Sequence, residues 1–337
     1  MPAQTDTAPD VAAQACAQTP TPAASAAVAS TPASQAADGQ VMGQQAQSVS
    51  KPAERRGLRL HQLDWPVVIG IALLHLGCIA APFYFSWSGL AVSFFFAFLS
   101  GPLGVTLCFH RMLTHRSFTT PAWFRYLLTF LACTATQGAP IQWVGTHRLH
   151  HKHSDTDMDP HTPNHGFTWS HVFWCMHKHP GGMPWSAASA AQDLARDPGL
   201  RLLNKYHILP QITVVVFCFA GGWISQYVLG WNTSALSWLV WGVAVRTVCV
   251  YHGTWFVNSA SHTWGYKNYE TGDRSTNLWW VALLSFGEGW HNNHHGDQRA
   301  AAHGRRWFEF DPTYWTIRLL EKVGLARDVV RHKPLHG

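Results

Sequence analysis

The stretch GEGWHNNHH, from Gly287 to His295, decides how the rest of this sequence is interpreted. It contains three histidines, His291, His294 and His295, at offsets of three and four residues. On an α-helix these offsets place side chains on one face, one turn apart. Three imidazoles gathered in this way are typical of a metal-binding array. The stretch therefore predicts a metal site built on a helix.

Two further histidine clusters precede it. The segment THRLHH carries His147, His150 and His151 at the same spacing, and HRMLTH carries His110 and His115. Five positions of an α-helix direct two side chains about 140° apart, so the latter pair can reach one site only if the helix ends between them. Eight candidate ligands exceed the needs of one four-coordinate ion and suit two ions of higher coordination. Because imidazole binds zinc, copper, iron and nickel alike, ligand type alone does not name the metal.

The remaining isolated histidines are interpreted as headgroup-facing or hydrogen-bonded residues, and they are His75, His153, His161, His165, His171, His177, His179, His207, His303, His332 and His336.

The composition is that of a membrane protein and excludes several other classes. Charged residues make up 12%, with 18 Trp, 18 Phe and a net charge of +6. The seven cysteines form no CxxC pair, which argues against a disulfide framework or a cysteine zinc site and favours a reducing compartment. Nucleic-acid binding is not indicated, because no run of Lys and Arg occurs. The basic charge instead suits anionic lipid headgroups or an acidic electron carrier.

Four apolar runs, each of about 20 residues, are long enough to cross a bilayer. They cover residues 66–87, 89–109, 209–229 and 236–257. Basic residues flank the pairs but are absent from the connectors within each pair, so the positive-inside rule places both termini and all histidine clusters in the cytoplasm. The segment 123–141 is shorter and is broken by Gln137, Gly138 and Pro140, which favours an interfacial or buried helix over a fifth span. The predicted fold is an all-α integral membrane protein with four transmembrane helices in two hairpins and a cytoplasmic helical cap holding a di-metal site.

The predicted organisation has three parts. Residues 1–52 form an Ala-, Gln-, Pro- and Thr-rich tail that is predicted to be disordered, because it has too little apolar surface to offset its ordering entropy. Residues 53–325 form the four-span domain, with cap segments 110–208 and 258–325, and residues 326–337 form a C-terminal tail. Arg246 lies deep in the fourth run, where a charge must face the bundle interior. It is interpreted as a structural residue bonded to carbonyls or Tyr, and a contact with the substrate is the alternative.

The motifs HRMLTH, THRLHHKHSDTDMDPH, NSASHTWG and GEGWHNNHH resemble the histidine boxes of the membrane fatty-acyl desaturases, specifically the Δ9 acyl-CoA/acyl-lipid branch. The resemblance extends from about residue 60 to residue 320. It implies a four-span helical protein in which a non-haem di-iron centre uses dioxygen as co-substrate. A redox metal pair beside a lipid chain fits attack on an unactivated C–H bond.

The resemblance also implies the ligand set. One iron would be held by His110, His115, His151 and His295, with Asn258 acting through a water. The other iron would be held by His147, His150, His262, His291 and His294. A chain-bending group would consist of Gln137, Trp143 and Thr254. For these last three, ordinary buried polar residues at a helix kink are the alternative.

Two departures concern the substrate carrier and the electron source. Animal acyl-CoA members have Arg and Asp before the second box, where this chain has Gly145 and Thr146. The change weakens the case for CoA and admits lipid- or carrier-protein-linked chains. The chain has no fused cytochrome b5 domain and no flavin or NAD fingerprint, so a separate ferredoxin, rubredoxin or cytochrome b5 with its reductase would supply electrons. Arg274, Arg299, Arg305 and Arg306 are candidate docking points for an acidic electron carrier, and a solvated basic face is the alternative interpretation.

The function expected from these features is O2-dependent removal of two vicinal hydrogens from a saturated acyl chain at Δ9, giving a cis double bond, in a bacterial inner membrane. One alternative is a hydroxylase on the same scaffold, which product analysis would distinguish. Another is a membrane metal transporter or sensor. That alternative needs a polar path through the membrane, whereas only Arg246 and His252 interrupt the fourth run.

Overall fold

The computed structural model describes residues 60–178 and 187–332, and this part of the chain is helical with only isolated β-bridges. The predicted disordered tail at 1–52 and residues 333–337 of the C-terminal tail lie outside the described residues. The α-helices are α1 Trp65–Ile79, α2 Trp87–Phe98, α3 Ala122–Cys133, α4 Pro140–His153, α5 Phe167–His171, α6 Gln192–Ala195, α7 Pro198–Lys205, α8 Leu209–Tyr227, α9 Ala235–Leu239, α10 Arg246–Ser259, α11 Trp279–Leu284, α12 His291–Gly296 and α13 Pro312–Lys322. Two π-helical stretches are π1 Leu99–Thr114 and π2 Val240–Val245, and short 3-10 helices are Leu60–Gln62, Pro163–His165, Phe173–Met176, Ala187–Ala191 and Ala260–His262.

Three continuous helices in the described residues are long and apolar enough to cross a membrane. We name them span A (Trp87–Thr114), span B (Leu209–Tyr227) and span C (Ala235–His262). They match three of the four predicted runs. In the first run, 66–87, the α-helix α1 ends at Ile79 after 15 residues, and α2 begins only at Trp87. Pro82 follows soon after Ile79, and proline disfavours helical geometry in the residue before it, so α1 covers about 22 Å.

The connector before span A lies against the connector before span C. The Ser86 hydroxyl is 2.6 Å from the Ser237 hydroxyl and 3.1 Å from that of Thr233, and Ser88 donates to Thr233 at 2.8 Å. Spans B and C pack closely behind this contact, where a Cβ at Gly222 would lie 2.7 Å from the Cα of Ala235. The two connectors therefore occupy the same end of the bundle.

The second half of span A is wound as a π-helix, which extends into the HRMLTH motif. The backbone N–H of His115 donates to the carbonyl of His110 at 3.2 Å, five residues back, which is the π-helical pattern. This wider winding brings residues five apart onto one side, and the two imidazole centroids are 4.8 Å apart. The expectation that the helix must end between His110 and His115 was therefore wrong, because an α-helical turn was assumed.

Arg246 is fully buried in span C and bonds to neutral acceptors. Its guanidinium donates to the carbonyls of Gly242 at 3.1 Å and Thr134 at 2.6 Å, and to the Gln211 amide oxygen at 3.0 Å. These contacts agree with the interpretation of Arg246 as a structural residue. They connect span B, span C and the end of α3.

The main apolar core lies where π1, α3, α4 and α13 meet. It includes Phe109, Leu128, Val144 and Ile317, all almost completely buried. Burial of such side chains contributes roughly 1.5–3 kcal/mol each. The core fixes the end of span A against α4. These two elements carry the HRMLTH and THRLHH motifs.

Candidate metal centre

Five histidines from three elements converge on one point, which we name the first cluster: His110, His115, His147, His151 and His294. The Nε2 atom of His294 lies 3.1 Å from that of His110 and 2.9 Å from that of His151. The Nε2 atoms of His151 and His147 are 3.0 Å apart. The end of span A, α4 and α12 therefore meet in this cluster.

Four other histidines form the second cluster: His150, His262, His291 and His295. The Nε2 atoms of His150 and His295 are 3.3 Å apart, and those of His291 and His262 are 3.1 Å apart. All four side chains are buried. His262 ends span C, so this cluster joins that span to α4 and α12.

The grouping implied by the family resemblance was wrong for three residues. His295 lies in the second cluster, whereas His147 and His294 lie in the first. The helical geometry explains this result, because residues four apart face the same direction. His147 and His151 on α4 therefore share one cluster, and His291 and His295 on α12 share the other. His150 points about 100° away from His151 and therefore lies in the second cluster. His294 points about 100° away from His295 and lies in the first.

The donor set fits two metal ions. Neighbouring Nε2 atoms face one another at 2.9–3.3 Å. One N–H proton can form a hydrogen bond between only two of these nitrogens, so the lone pairs of the others are left without a donor. Among the described residues, the buried Nε2 of His115 has no hydrogen-bond partner. A cation in each cluster would accept these lone pairs together, and imidazole is a suitable ligand for iron, zinc, copper or nickel.

Carboxylates support four of the imidazoles from behind, at Nδ1. The distances are 2.9 Å from His150 to Asp159, 2.6 Å from His295 to Asp273, 3.1 Å from His262 to Asp155 and 2.5 Å from His110 to Glu288. Asp159 and Asp273 are hydrogen-bonded to Nδ1, and such a bond keeps the proton there and turns the Nε2 lone pair toward a metal, whereas Asp155 and Glu288 lie at ion-pair distance. Both clusters are therefore pre-oriented.

These four carboxylates were not predicted from the sequence. Asp155 and Asp159 lie in the motif that follows His151, and Glu288 lies in GEGWHNNHH itself, so an acidic residue close to a histidine box was the available signal. Asp273 has no such signal, because it is 22 residues from His295 and meets it only through folding.

His161 and His303, interpreted singly as ordinary histidines, also lie against the clusters. The ring centroid of His161 is 4.3 Å from that of His150, and His303 is 4.5 Å from His294. Both are buried. The Nδ1 of His303 is 3.3 Å from Glu288, which places it beside the carboxylate that supports His110.

Burial lowers the pKa of several of the clustered imidazoles, and neighbouring imidazoles lower it further. The pKa values of His115, His147 and His151 lie well below the usual value for this reason. For His295, burial lowers the pKa to about 4 even though Asp273 raises it. At neutral pH these side chains are neutral, which is the form that binds metal.

The supporting carboxylates are ionised. Burial raises the pKa of Glu288, but His110, His303 and Arg111 outweigh it and hold that pKa well below its usual range. Burial likewise raises the pKa of Asp159, and His150 and His161 lower it to a net decrease. Negative charge therefore lies immediately behind the imidazoles, where it favours a cation in front of them.

A buried ion network fixes Glu288. Arg111 donates to Glu288 Oε1 at 3.0 Å and 3.1 Å, and to the two carboxylate oxygens of Asp311 at 2.8 Å and 2.9 Å. Asp311 begins α13 and accepts the N–H of Tyr314 at 2.9 Å. The C-terminal helix is thereby linked to the residue behind His110.

The three predicted chain-bending residues form one hydrogen-bonded row. The Gln137 amide donates to the Thr254 hydroxyl at 2.8 Å, and the Trp143 indole donates to the Gln137 amide oxygen at 3.2 Å. The Trp143 ring stacks on the His147 imidazole, with centroids 5.3 Å apart. The row is therefore in contact with the first cluster, while its contact with an acyl chain stays a prediction.

The other predicted site residues have separate positions. Asn258 is half-buried on span C, four residues before His262, and its role stays a prediction. Of the proposed docking residues, Arg274 donates to Asn164 at 3.1 Å and Arg305 to the Tyr269 hydroxyl at 3.2 Å. Arg306 lies over the Tyr266 ring at 5.5 Å.

Comparison with known proteins identifies the relatives of this chain. The family model described as fatty acid desaturase matches residues 52–322. The chain is 47% identical over 271 residues to an sn-1 stearoyl-lipid 9-desaturase of Anabaena variabilis, covering 80% of this chain and 94% of the relative. It is 40% identical to an sn-2 palmitoyl-lipid 9-desaturase of Nostoc sp. (strain 36), covering 81% and 92%. It is also 40% identical to an acyl-CoA 5-desaturase of Anemone leveillei, covering 80% of each. The resemblance found in the histidine motifs is thereby confirmed.

Proposed function

The chain belongs to the fatty acid desaturase family, and from this premise we propose that it introduces a Δ9 cis double bond into lipid-linked acyl chains at a di-iron centre. As a family member it is an oxidoreductase that desaturates fatty-acyl chains. The proposal adds the double-bond position, the carrier, the metal and the residues that act.

The observation that carries the proposal is the contact between the polar row and the first cluster. Trp143 touches both Gln137 and His147, so a chain lying along the row would present its carbons to the cluster. Holding a reacting C–H bond in a fixed position is a large part of catalysis. A bend imposed on an acyl chain by the row would fix which of its carbons lie closest to the cluster.

The proposed roles of the residues follow from their positions. The nine clustered histidines would hold two iron ions, with Asn258 acting on one of them through a water. When bound, the iron pair supplies O2 activation and the oxidant for C–H cleavage. The four carboxylates keep the imidazole tautomers fixed.

The position of Gly145 supports the proposal that the acyl chain is linked to a lipid and not to CoA. A Cβ at Gly145 would overlap the carbonyl of Ala187, because the 3-10 helix Ala187–Ala191 packs directly on α4. There is no space for the Arg that the acyl-CoA members of the resemblance carry at this position. Two similar proteins are named as acyl-lipid enzymes. We therefore favour a glycerolipid-linked chain over acyl-CoA.

The proposed topology has four spans, with α1 as the short additional span. The meeting of Ser86 with Thr233 and Ser237 supports two hairpins whose connectors share one side. The clusters lie at the opposite ends of spans A and C, which we assign to the cytoplasm of a bacterial inner membrane. Electrons would come from a separate ferredoxin, rubredoxin or cytochrome b5 with its reductase.

The experiment expresses the wild type, His291→Ala and the control His207→Ala, with a ferredoxin system, in a host that lacks an aerobic desaturase. Gas chromatography–mass spectrometry after dimethyl disulfide treatment locates any new double bond, and separation of lipid classes identifies the carrier. We expect a Δ9 monoene in glycerolipids from the wild type and from His207→Ala, and none from a membrane-inserted His291→Ala. Product formation by His291→Ala would refute the ligand assignment, and a hydroxylated chain would refute desaturation.

A further inference from the structure

An open basic cavity lies directly over the first cluster. Its volume is about 540 Å³, and its lining includes His115 and His151 together with Arg116, Arg148, Lys152 and Arg299. We name these four cations and the space between them the basic cavity. An adjoining cavity of about 520 Å³ shares Arg299 and reaches His295 of the second cluster. Solvent-facing space therefore extends to candidate ligands of both metals.

The cations of the basic cavity are only partly neutralised. Arg116 and Arg148 share one carboxylate, that of Asp193, at 2.6 Å and 2.5 Å. Lys152 and Arg299 are exposed, and within residues 60–178 and 187–332 no carboxylate lies at ion-pair distance from either. A cavity lined by charge of one sign concentrates the opposite charge and steers association.

The basic cavity is on the far side of the first cluster from the polar row. Trp143 and His151 are eight residues apart on α4, which corresponds to about 12 Å along the helix axis. Trp143 contacts His147 at the N-terminal side of the cluster, whereas Lys152 lies beyond His151 at the C-terminal side. An acyl chain bent at the row therefore does not need this opening.

The chemistry of desaturation requires that an electron donor, as well as the acyl chain, can come close to the metals. Forming the double bond breaks two C–H bonds and yields two electrons, whereas reducing O2 to two waters takes four electrons and four protons. The balance is O2 + RCH2CH2R′ + 2 e− + 2 H+ → RCH=CHR′ + 2 H2O. Two one-electron carriers must each be oxidised once per turnover, and each must come close to the metals.

We infer that the basic cavity is the docking site for a small acidic one-electron carrier of the [2Fe–2S] ferredoxin class. The inference rests on the proposed function. The carrier's acidic surface meets Lys152, Arg299 and the Arg116–Arg148 pair, and its electron enters at His115 and His151, or at His295 through the adjoining cavity. Of the docking residues suggested by the sequence, only Arg299 lines the basic cavity.

Binding of oxidised plant-type [2Fe–2S] ferredoxin to the iron-loaded full chain in lipid nanodiscs tests the inference without turnover. The variant is Lys152→Glu with Arg299→Glu. The matched control is Lys205→Glu with Lys322→Glu, which makes the same charge change at two exposed lysines away from the basic cavity. We expect the Kd of the variant to rise at least tenfold, about 1.4 kcal/mol, and its salt dependence to flatten, while the control matches the wild type.

Two kinetic measurements separate docking from other effects. Reduction of the metal centre by dithionite should keep its wild-type rate in the variant, whereas the KM for ferredoxin should rise with little change in kcat.

Several results would overturn the inference: no salt-sensitive binding of ferredoxin by the wild type, equal binding by variant and wild type, or equal losses in variant and control. A raised KM for lipid with ferredoxin binding intact would reassign the basic cavity to a lipid headgroup. Ferredoxin binding without any desaturated product from the wild type would instead refute the proposed function. If the double variant fails to fold, Lys152→Gln alone is expected to weaken binding in the same direction.

Discussion

At the scale of single residues, carboxylates close to the Nδ1 atoms orient four of the clustered imidazoles. Asp159, Asp273, Asp155 and Glu288 each approach an Nδ1 atom, and Arg111 in turn holds Glu288. A buried ion pair of this kind is a poor source of stability, because desolvation offsets the attraction. Its value here is orientation, since it fixes the ring that would carry the metal.

The Asp273→Asn variant should weaken metal retention in the second cluster. Asp273 accepts from His295 at 2.6 Å and from the Ser275 N–H at 2.9 Å, and an amide can keep the shape while losing the charge. We expect affinity for one of the two ions to fall about 10- to 100-fold, measured by iron release to a chelator.

The matched control for that prediction is Asp328→Asn, which removes an exposed carboxylate that contacts only the Thr119 hydroxyl among the described side chains. Equal chelator curves for Asp273→Asn and this control would contradict the role given to Asp273.

At the scale of elements, the loop between α3 and α4 is held by span C. The Tyr251 hydroxyl is 2.8 Å from the Thr136 carbonyl and 2.9 Å from its hydroxyl, and Arg246 donates to the Thr134 carbonyl at 2.6 Å. Thr136 has φ of 54°, a region that a β-branched residue occupies only when its surroundings enforce it. The loop therefore presents Gln137 in one fixed position.

The Tyr251→Phe variant should change where the double bond forms. Removing the hydroxyl breaks its hydrogen bond to Thr136 and gives Gln137 more freedom to move relative to Thr254. The position at which the proposed row bends the acyl chain should then vary more. We expect folded protein that makes a measurable fraction of neighbouring positional isomers, quantified by dimethyl disulfide derivatives. A Tyr206→Phe control, at an exposed residue, should keep one isomer, and an unchanged isomer pattern in Tyr251→Phe would refute the loop's role.

The start of α7 offers a test of pH dependence. Burial raises the pKa of Asp197, but N–H donors from Leu200 and Gly199, the Tyr126 hydroxyl and Arg125 lower it to a net decrease. A carboxylate with a lowered pKa stabilises the fold above its unfolded pKa of about 3.9, and this contribution is lost as the pH falls through the folded value.

The Asp197→Ala variant should therefore lower the Tm at pH 7 and differ less from the wild type near pH 3. Losing the N-cap costs about 1 kcal/mol, or about 2–4 °C for a domain of this size. Asp197→Asn keeps a capping oxygen and should lose less. A Tm difference that stays the same at both pH values would contradict the charged state of Asp197.

At the scale of the whole molecule, the two clusters join parts that are distant in the sequence. The end of span A, the end of span C, α4 and α12 each contribute ligands, and α13 is connected through Asp311 and Arg111. The two histidine clusters are thus the point where spans A and C meet α4 and α12. Their proposed location at the cytoplasmic end of the bundle determines how substrate and electrons would approach.

Cysteine labelling in intact bacteria tests this topology. Trp231→Cys lies in the connector between spans B and C, and Lys267→Cys lies just beyond the end of span C. A membrane-impermeant maleimide should label Trp231→Cys in intact cells and Lys267→Cys only after permeabilisation, above the background of the wild-type cysteines. The opposite pattern would place the metal clusters outside the cytoplasm.

The local spacing of residues determined a large part of this protein. Residues three and four apart identified the histidine triplets, and apolar runs identified spans A, B and C, because both signals are carried by neighbours in the sequence. The fatty acid desaturase family could be recognised from four such motifs. The polar row of Gln137, Trp143 and Thr254 came from the resemblance, and the structure joined it by hydrogen bonds.

Only the tertiary structure decided which imidazoles share a cluster and what supports them. His147 and His150 are three residues apart yet point into different clusters, since a small rotation about a helix axis separates them. The π-helical winding before His115, the ending of α1 before Pro82 and the pairing of Asp273 with His295 depend on backbone geometry and on contacts between distant segments. Spacing along the chain sets which side chains are available, and packing sets the directions in which they point.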